Sequence, residues 1–138
     1  MNKIREVLTY DDVLLVPQYS DIESRRQISL AGDLTNVRLT LPIISSPMDT
    51  VTEWSMCQIL DEHGGMGIIH RYNTPDEQTA QVAKAIENGT KNVGAAVGVT
   101  GDYLDRAISL VGEGAKIVCV DVAHGHHSLV EAAIKSLR

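Results

Sequence analysis

No apolar run in this chain approaches the roughly 20 residues that a membrane-spanning helix requires, so no spanning helix is expected. The first residues, Met1 to Glu6, carry acid before any apolar core, unlike a signal peptide, and a cytoplasmic protein is the expectation. A basic stripe is missing too: Lys3, Arg25, Arg38, Lys84, Lys116 and Lys135 are scattered, and the formal charge is -6. Nucleic-acid binding, which draws on concentrated positive charge, is therefore not expected. The two cysteines, Cys57 in a helical pattern and Cys119 in an apolar strand, are too few for a disulfide framework, and both read as buried thiols. Linkers, low-complexity tracts and near-identical repeats are also absent.

What is present suffices for a folded core. At 138 residues and 43% hydrophobic, the chain can bury roughly two thirds of the surface its unfolded form exposes. Residues 1 to 40 read as irregular, with Val13 to Pro17 as a short extended run and Arg25 to Thr40 as a hairpin-like approach. Regular alternation then begins. Strands are expected at Leu41–Ser45, Met66–Ile69, Asn92–Val97 and Lys116–Val120, each followed by a helix. Thr50 or Thr52 can cap the first helix, and His63-Gly64-Gly65 stops it. Thr74-Pro75-Asp76-Glu77 starts the second with a capping residue, a first-turn proline and acids at the positive helix end. The third runs over Asp102 to Gly112 and the fourth over Ser128 to Leu137. The continuously apolar strand at Leu41–Ser45 suits coverage by helices on both faces.

Four successive βα units imply a parallel sheet with right-handed crossovers. Alternation alone leaves closure undecided. A closed (β/α)₈ barrel takes about 250 residues, which makes four units half of one, whereas an open doubly wound sheet of four strands is complete at this size.

Both architectures place their sites where strands end and helices begin. Four such seams occur, at Ser45-Ser46-Pro47-Met48-Asp49, His70-Arg71-Tyr72-Asn73, Gly98-Val-Thr-Gly101 and Asp121-Val122-Ala123-His124. The first also has the composition of an ordinary turn, in which Asp49 would tie the backbone together. Asp121 must emerge at a strand end, where a carboxylate without a partner is costly. It either meets hydroxyl or N–H groups of a ligand, or fixes its own loop as a cap. His124, His126 and His127 match no defined zinc spacing, and no metal is expected. Gly64-Gly65-Met66-Gly67 precedes a strand instead of opening a helix, so it reads as a helix stop and not a phosphate loop.

Five segments in order, Leu8 to Pro17, Ser45 to Glu53, Gly64 to His70, Val93 to Gly98 and Asp121 to His126, resemble the IMP dehydrogenase / GMP reductase family. The resemblance implies an N-terminal half of a (β/α)₈ TIM barrel over residues 1–138, with no regulatory nucleotide-sensing (CBS-type) modules inserted. It implies that Ser46 and Met48 lie along a bound purine nucleotide, IMP or GMP. Asp121 would accept hydrogen bonds from the ribose of a nicotinamide dinucleotide, with Val122, Ala123 and His124 beside it and His70 at the rim; a plain strand-end role for His70 is the other reading. The implied activity is NAD-dependent oxidation of IMP to XMP. GMP reduction with NADPH is the alternative, because Gln78 to Asn92 crosses directly between units, as in the reductases. The family's catalytic Cys loop, flap, phosphate loop and monovalent-cation site would lie beyond these strands, and the intact enzyme would be a homo-oligomer, a tetramer by resemblance. A fragment that binds nucleotide without turning it over is the reading from another functional class. Neither Cys57 nor Cys119 has the Gly- and Ser-rich loop context that such a nucleophile needs.

Overall fold

In a computed structural model of the protein, the residues described are 5–138; residues 1–4, part of the segment read against a signal peptide, lie outside the described residues. Among the described residues, no helix is long and apolar enough to cross a membrane. From Arg5 to Ala31 the chain is irregular, with a hydrogen-bonded turn at Thr9–Asp12 and a short 3₁₀ turn, Arg25–Gln27, held by a Ser24/Gln27 capping box. Val13 to Pro17 forms no strand, and Tyr10, Leu14, Leu15 and Tyr19 are nearly fully exposed. The hairpin is real: β1 (Gly32–Leu34) pairs antiparallel with β2 (Val37–Leu39).

Next come β3 (Ile44–Ser45), α1 (Trp54–Glu62), β4 (Met66–Ile69), α2 (Pro75–Glu87), β5 (Val93–Val97), α3 (Tyr103–Gly112), β6 (Ile117–Val120) and α4 (Ser128–Leu137). The four later strands form a parallel sheet in the order β3-β4-β5-β6. Alternation splits β4, β5 and β6 between two cores. Ile69, Val93, Ala95 and Val97 pack with Cys57, Val82, Ala85, Ala107 and Leu110 of the helices. Met66, Ile68 and Ala96 face the other way and pack on Val37 and Leu39 of the hairpin. Neighbouring helices touch in succession, α1 on α2, α2 on α3 and α3 on α4. The helices therefore share one face of the sheet, which is the arrangement of a singly wound sheet and not of a doubly wound one.

Two local expectations are corrected. β3 is two residues long, and Ile43 and Ile44 are 50% and 41% exposed, because the strand sits at an edge where no neighbour covers it. Helix α1 is not capped by Thr50 or Thr52. Its N-cap position is Glu53, without a side-chain cap bond, while the Thr52 hydroxyl is fully buried in a different task described below. The stop and start around β4 and α2 follow the sequence closely. Gly64 takes φ +84° after α1, and a Cβ there would sit 1.8 Å from Thr40 Oγ1, so glycine is required on both counts. Thr74 caps α2 in a complete capping box with Glu77.

Candidate functional site at the strand ends

In a parallel sheet all C-terminal strand ends lie on one rim, and here each is followed directly by a sequence-marked residue: Ser46 after β3, His70 after β4, Gly98 after β5, Asp121 after β6. Ser46 and Asp121 stand at opposite ends of that rim. Three interstrand steps of about 4.8 Å put them roughly 14 Å apart, too far to touch one small group but within reach of two adjacent ligands. Met48 is half exposed beside Ser46, and Ala123 and His124 are exposed beside Asp121. Val122 and His124 line a small cavity of about 200 Å³ with Val99 from the β5–α3 loop. A larger cavity, about 600 Å³, runs along α4 past Glu131 and Lys135; it carries none of the expected nucleotide or cofactor residues.

The rim is braced by side chains that the pattern reading passed over. Thr52 Oγ1 donates to the Ser46 carbonyl at 2.6 Å and shares a hydrogen bond with Ser45 Oγ at 2.8 Å. That hydroxyl ties the β3–α1 turn, the role expected of Asp49, whose carboxylate makes no hydrogen bond among the described residues. Gln78 is fully buried, and its Nε2 reaches the carbonyls of Ile69, His70 and Ala96, which pins the ends of β4 and β5 together. Its position on the buried stripe Gln78, Val82, Ala85 of α2 was the available signal, since a polar residue on an apolar stripe requires a partner.

Asp121 has a partner from far along the chain. Arg71 Nε donates to Asp121 Oδ2 at 3.3 Å and to its backbone carbonyl at 3.1 Å. Both side chains are half-buried. Oδ1 makes no hydrogen bond among the described residues, so one carboxylate oxygen stays available to a hydroxyl donor. Nothing in the spacing of positions 71 and 121 announces this pair; only the sheet order brings the seams together.

His70 is 4% exposed. Its Nδ1 accepts from the Tyr72 N–H at 3.1 Å, so in the neutral ring Nε2 carries the proton. That donor has no hydrogen-bond partner among the described residues, the Glu53 carboxylate lying 3.8 Å away. His124 and His126 meet edge to face with centroids 6.5 Å apart. His127, read as a solvated helix-start residue, instead caps α4 by accepting from the Leu129 N–H. No group of three His, Cys, Asp or Glu residues converges as a metal site among the described residues.

Neither thiol is activated. Burial pushes Cys57 up to about 12. Cys119 is raised first by burial and then by the Asp121 charge; it is only half-buried, which corrects the expectation that both thiols are buried, while Cys57 is buried.

Comparison with known proteins adds the decisive observation. A family model described as the IMP dehydrogenase / GMP reductase domain matches residues 7–138. The chain belongs to the IMP dehydrogenase / GMP reductase family. Among its relatives, inosine-5'-monophosphate dehydrogenase of Nitrosopumilus maritimus is 48% identical over 64% of this chain and 19% of its own length. The Cryptosporidium parvum enzyme of the same name is 33% identical over 95% of this chain and 43% of its own. A GMP reductase of Leishmania donovani is 45% identical over 57% of this chain and 16% of its own. The crystal structure of the Legionella pneumophila inosine 5' monophosphate dehydrogenase superposes with a TM-score of 0.80 at 40% identity, covering 96% of this chain and 41% of that one. This family member thus spans less than half the length of these relatives.

Proposed function

We propose that residues 1–138 supply the first four βα units of a closed (β/α)₈ barrel, without inserted regulatory modules, that oxidises IMP to XMP with NAD. The observation that carries this reading is the rim: Ser46 and Met48 at one end, Asp121 with a free carboxylate oxygen at the other, His70 between them. In this reading Ser46 offers a hydroxyl and Met48 a soft apolar contact to the purine nucleotide. Asp121 accepts from the ribose hydroxyls of the dinucleotide, with Val122, Ala123 and His124 lining its berth. The dinucleotide, when bound, supplies the hydride acceptor; this chain's residues bind and orient. The covalent step on the purine requires an activated thiolate, and neither cysteine of this chain qualifies. The chemistry therefore depends on residues outside this sequence, in a cytoplasmic homo-oligomer.

GMP reduction with NADPH is the second reading, favoured by the uninterrupted passage of α2 from β4 to β5 and by the Leishmania donovani relative. Equilibrium titration of the purified chain with IMP, GMP, NAD and NADPH tests both. The expected result is binding of IMP and NAD, with no NADH formed. Asp121→Ala should weaken NAD by roughly ten- to hundredfold, the worth of a charged hydrogen bond, and leave IMP unchanged. Unaltered NAD affinity in that variant, or NADH formation by the chain alone, sinks the assignment; preference for GMP and NADPH selects the reductase.

A further inference from the structure

Arg106, on α3, is 9% exposed. Among the described residues the one carboxylate paired with it, Asp102, lies 4.0 Å from Nε and is itself largely exposed, and Nε has no hydrogen-bond partner. A buried cation with so little compensation is costly, so what its other nitrogens hold is informative. Nη1 donates to the Arg71 carbonyl at 3.1 Å and Nη2 to the Asn73 carbonyl at 2.5 Å. Both carbonyls belong to the loop leaving β4, and Arg71 is the residue whose Nε grips Asp121.

The linkage runs from α3 to the β4–α2 loop and on to the end of β6. It must cross the end of β5, which lies between β4 and β6 in the sheet. Gly98 lies at that point, and a Cβ added there would meet Arg71 Nη1 at 3.7 Å, an ordinary contact distance, so the guanidinium passes close beside the end of β5. We propose that Arg106 is a positioning residue which, by clamping the 71–73 loop, holds the Arg71 side chain on Asp121 and so fixes the direction of the Asp121 carboxylate at the rim. Without the clamp the loop is free to shift, and the Arg71 guanidinium, already 5.5 Å from the Tyr72 ring centroid, can settle on that exposed ring instead. The functional meaning rests on Asp121 being a cofactor group; the linkage itself does not.

NMR of the arginine Nε–H groups in the 138-residue chain reads the linkage with no ligand present. Arg71 Nε–H should exchange slowly with water in the wild type. It should exchange about tenfold or more faster in Arg106→Lys and Arg106→Gln, as loss of a charge-assisted hydrogen bond implies, while the amides of β4 and β5 keep their protection. Arg106→Lys retains the charge and serves if Arg106→Gln fails to fold. Unchanged Arg71 exchange in a folded variant overturns the proposal. So does acceleration that comes only with lost protection across β4 and β5 in both variants, which would make Arg106 a plain stabiliser of the fold. An NAD titration separates the two layers: Arg106→Lys should weaken NAD in the wild-type background and have no further effect in Asp121→Asn. If Asp121→Asn itself binds NAD normally, the cofactor role of Asp121 fails while the exchange result still decides the linkage.

Discussion

At the residue scale, the rim is organised by buried polar groups whose donors meet backbone carbonyls. Thr52, Gln78 and Arg106 each direct side-chain donors at backbone carbonyls of a strand end or its loop, and each does so from a buried position. Net hydrogen bonds are modest, about 1 kcal/mol each, but an orphaned buried carbonyl costs more; these residues therefore restrict the loops to one arrangement. Cys57 gives a pH-dependent consequence. Its folded value is raised to about 12 from an ordinary 9.0 by burial, so between those pH values the unfolded chain loses the thiol proton while the folded chain keeps it. Stability from this group is intact below pH 9 and falls as pH rises, by about 1.4 kcal/mol per pH unit. Urea unfolding of wild type and Cys57→Ala from pH 8 to 11 should show the slope in the first, with a shallower one in the second. Parallel curves would remove Cys57 as its source.

At the element scale, the close seating of α1 on β4 depends on Gly67. A Cβ at that position would stand 2.4 Å from Cys57 Sγ and 2.8 Å from Cys57 Cα, and the second contact is with backbone that cannot rotate away. Gly67→Ala should cost about 1–3 kcal/mol through overpacking, read as a lower urea midpoint with the slope unchanged. A Cys57→Ala background should recover only part of the loss, because the clash with Cα persists. Full recovery would place the strain in the thiol alone. The same elements show where periodicity served and where it did not. The bounds of β4 and α4 match the expectation to the residue, and α2 starts at its expected capping box. β3 shrank to two residues, since an apolar sequence at an edge has neither ladder nor cover to extend it.

At the scale of the molecule, the sheet has edges at β3 and β6, and the segment before the hairpin carries Leu8, Tyr10, Leu14, Leu15 and Tyr19 largely exposed. Open strand edges beside apolar side chains recruit other strands. The 138-residue polypeptide should accordingly associate in solution. Light scattering at increasing protein concentration should give a mass above that of the monomer, 15.0 kDa; a concentration-independent monomer would show that these edges and side chains are protected some other way.

The sequence by itself determined the alternation of strands and helices, because the apolar period and the stop and start residues are local properties of a few neighbouring positions. It also marked the four seams, and through the order of five motifs it pointed to the family to which the chain belongs. Composition and period left closure undecided, and the apolar run Leu41–Ser45 suggested helices on both faces; packing of successive helices against one another places them on one. Likewise Asp121 was visible as a strand-end carboxylate, but its partner Arg71, fifty positions earlier, was not. That pairing depends on sheet order, which carries Arg71 past the end of β5 at Gly98, and contacts across a sheet leave no fixed spacing along the chain from which they can be read.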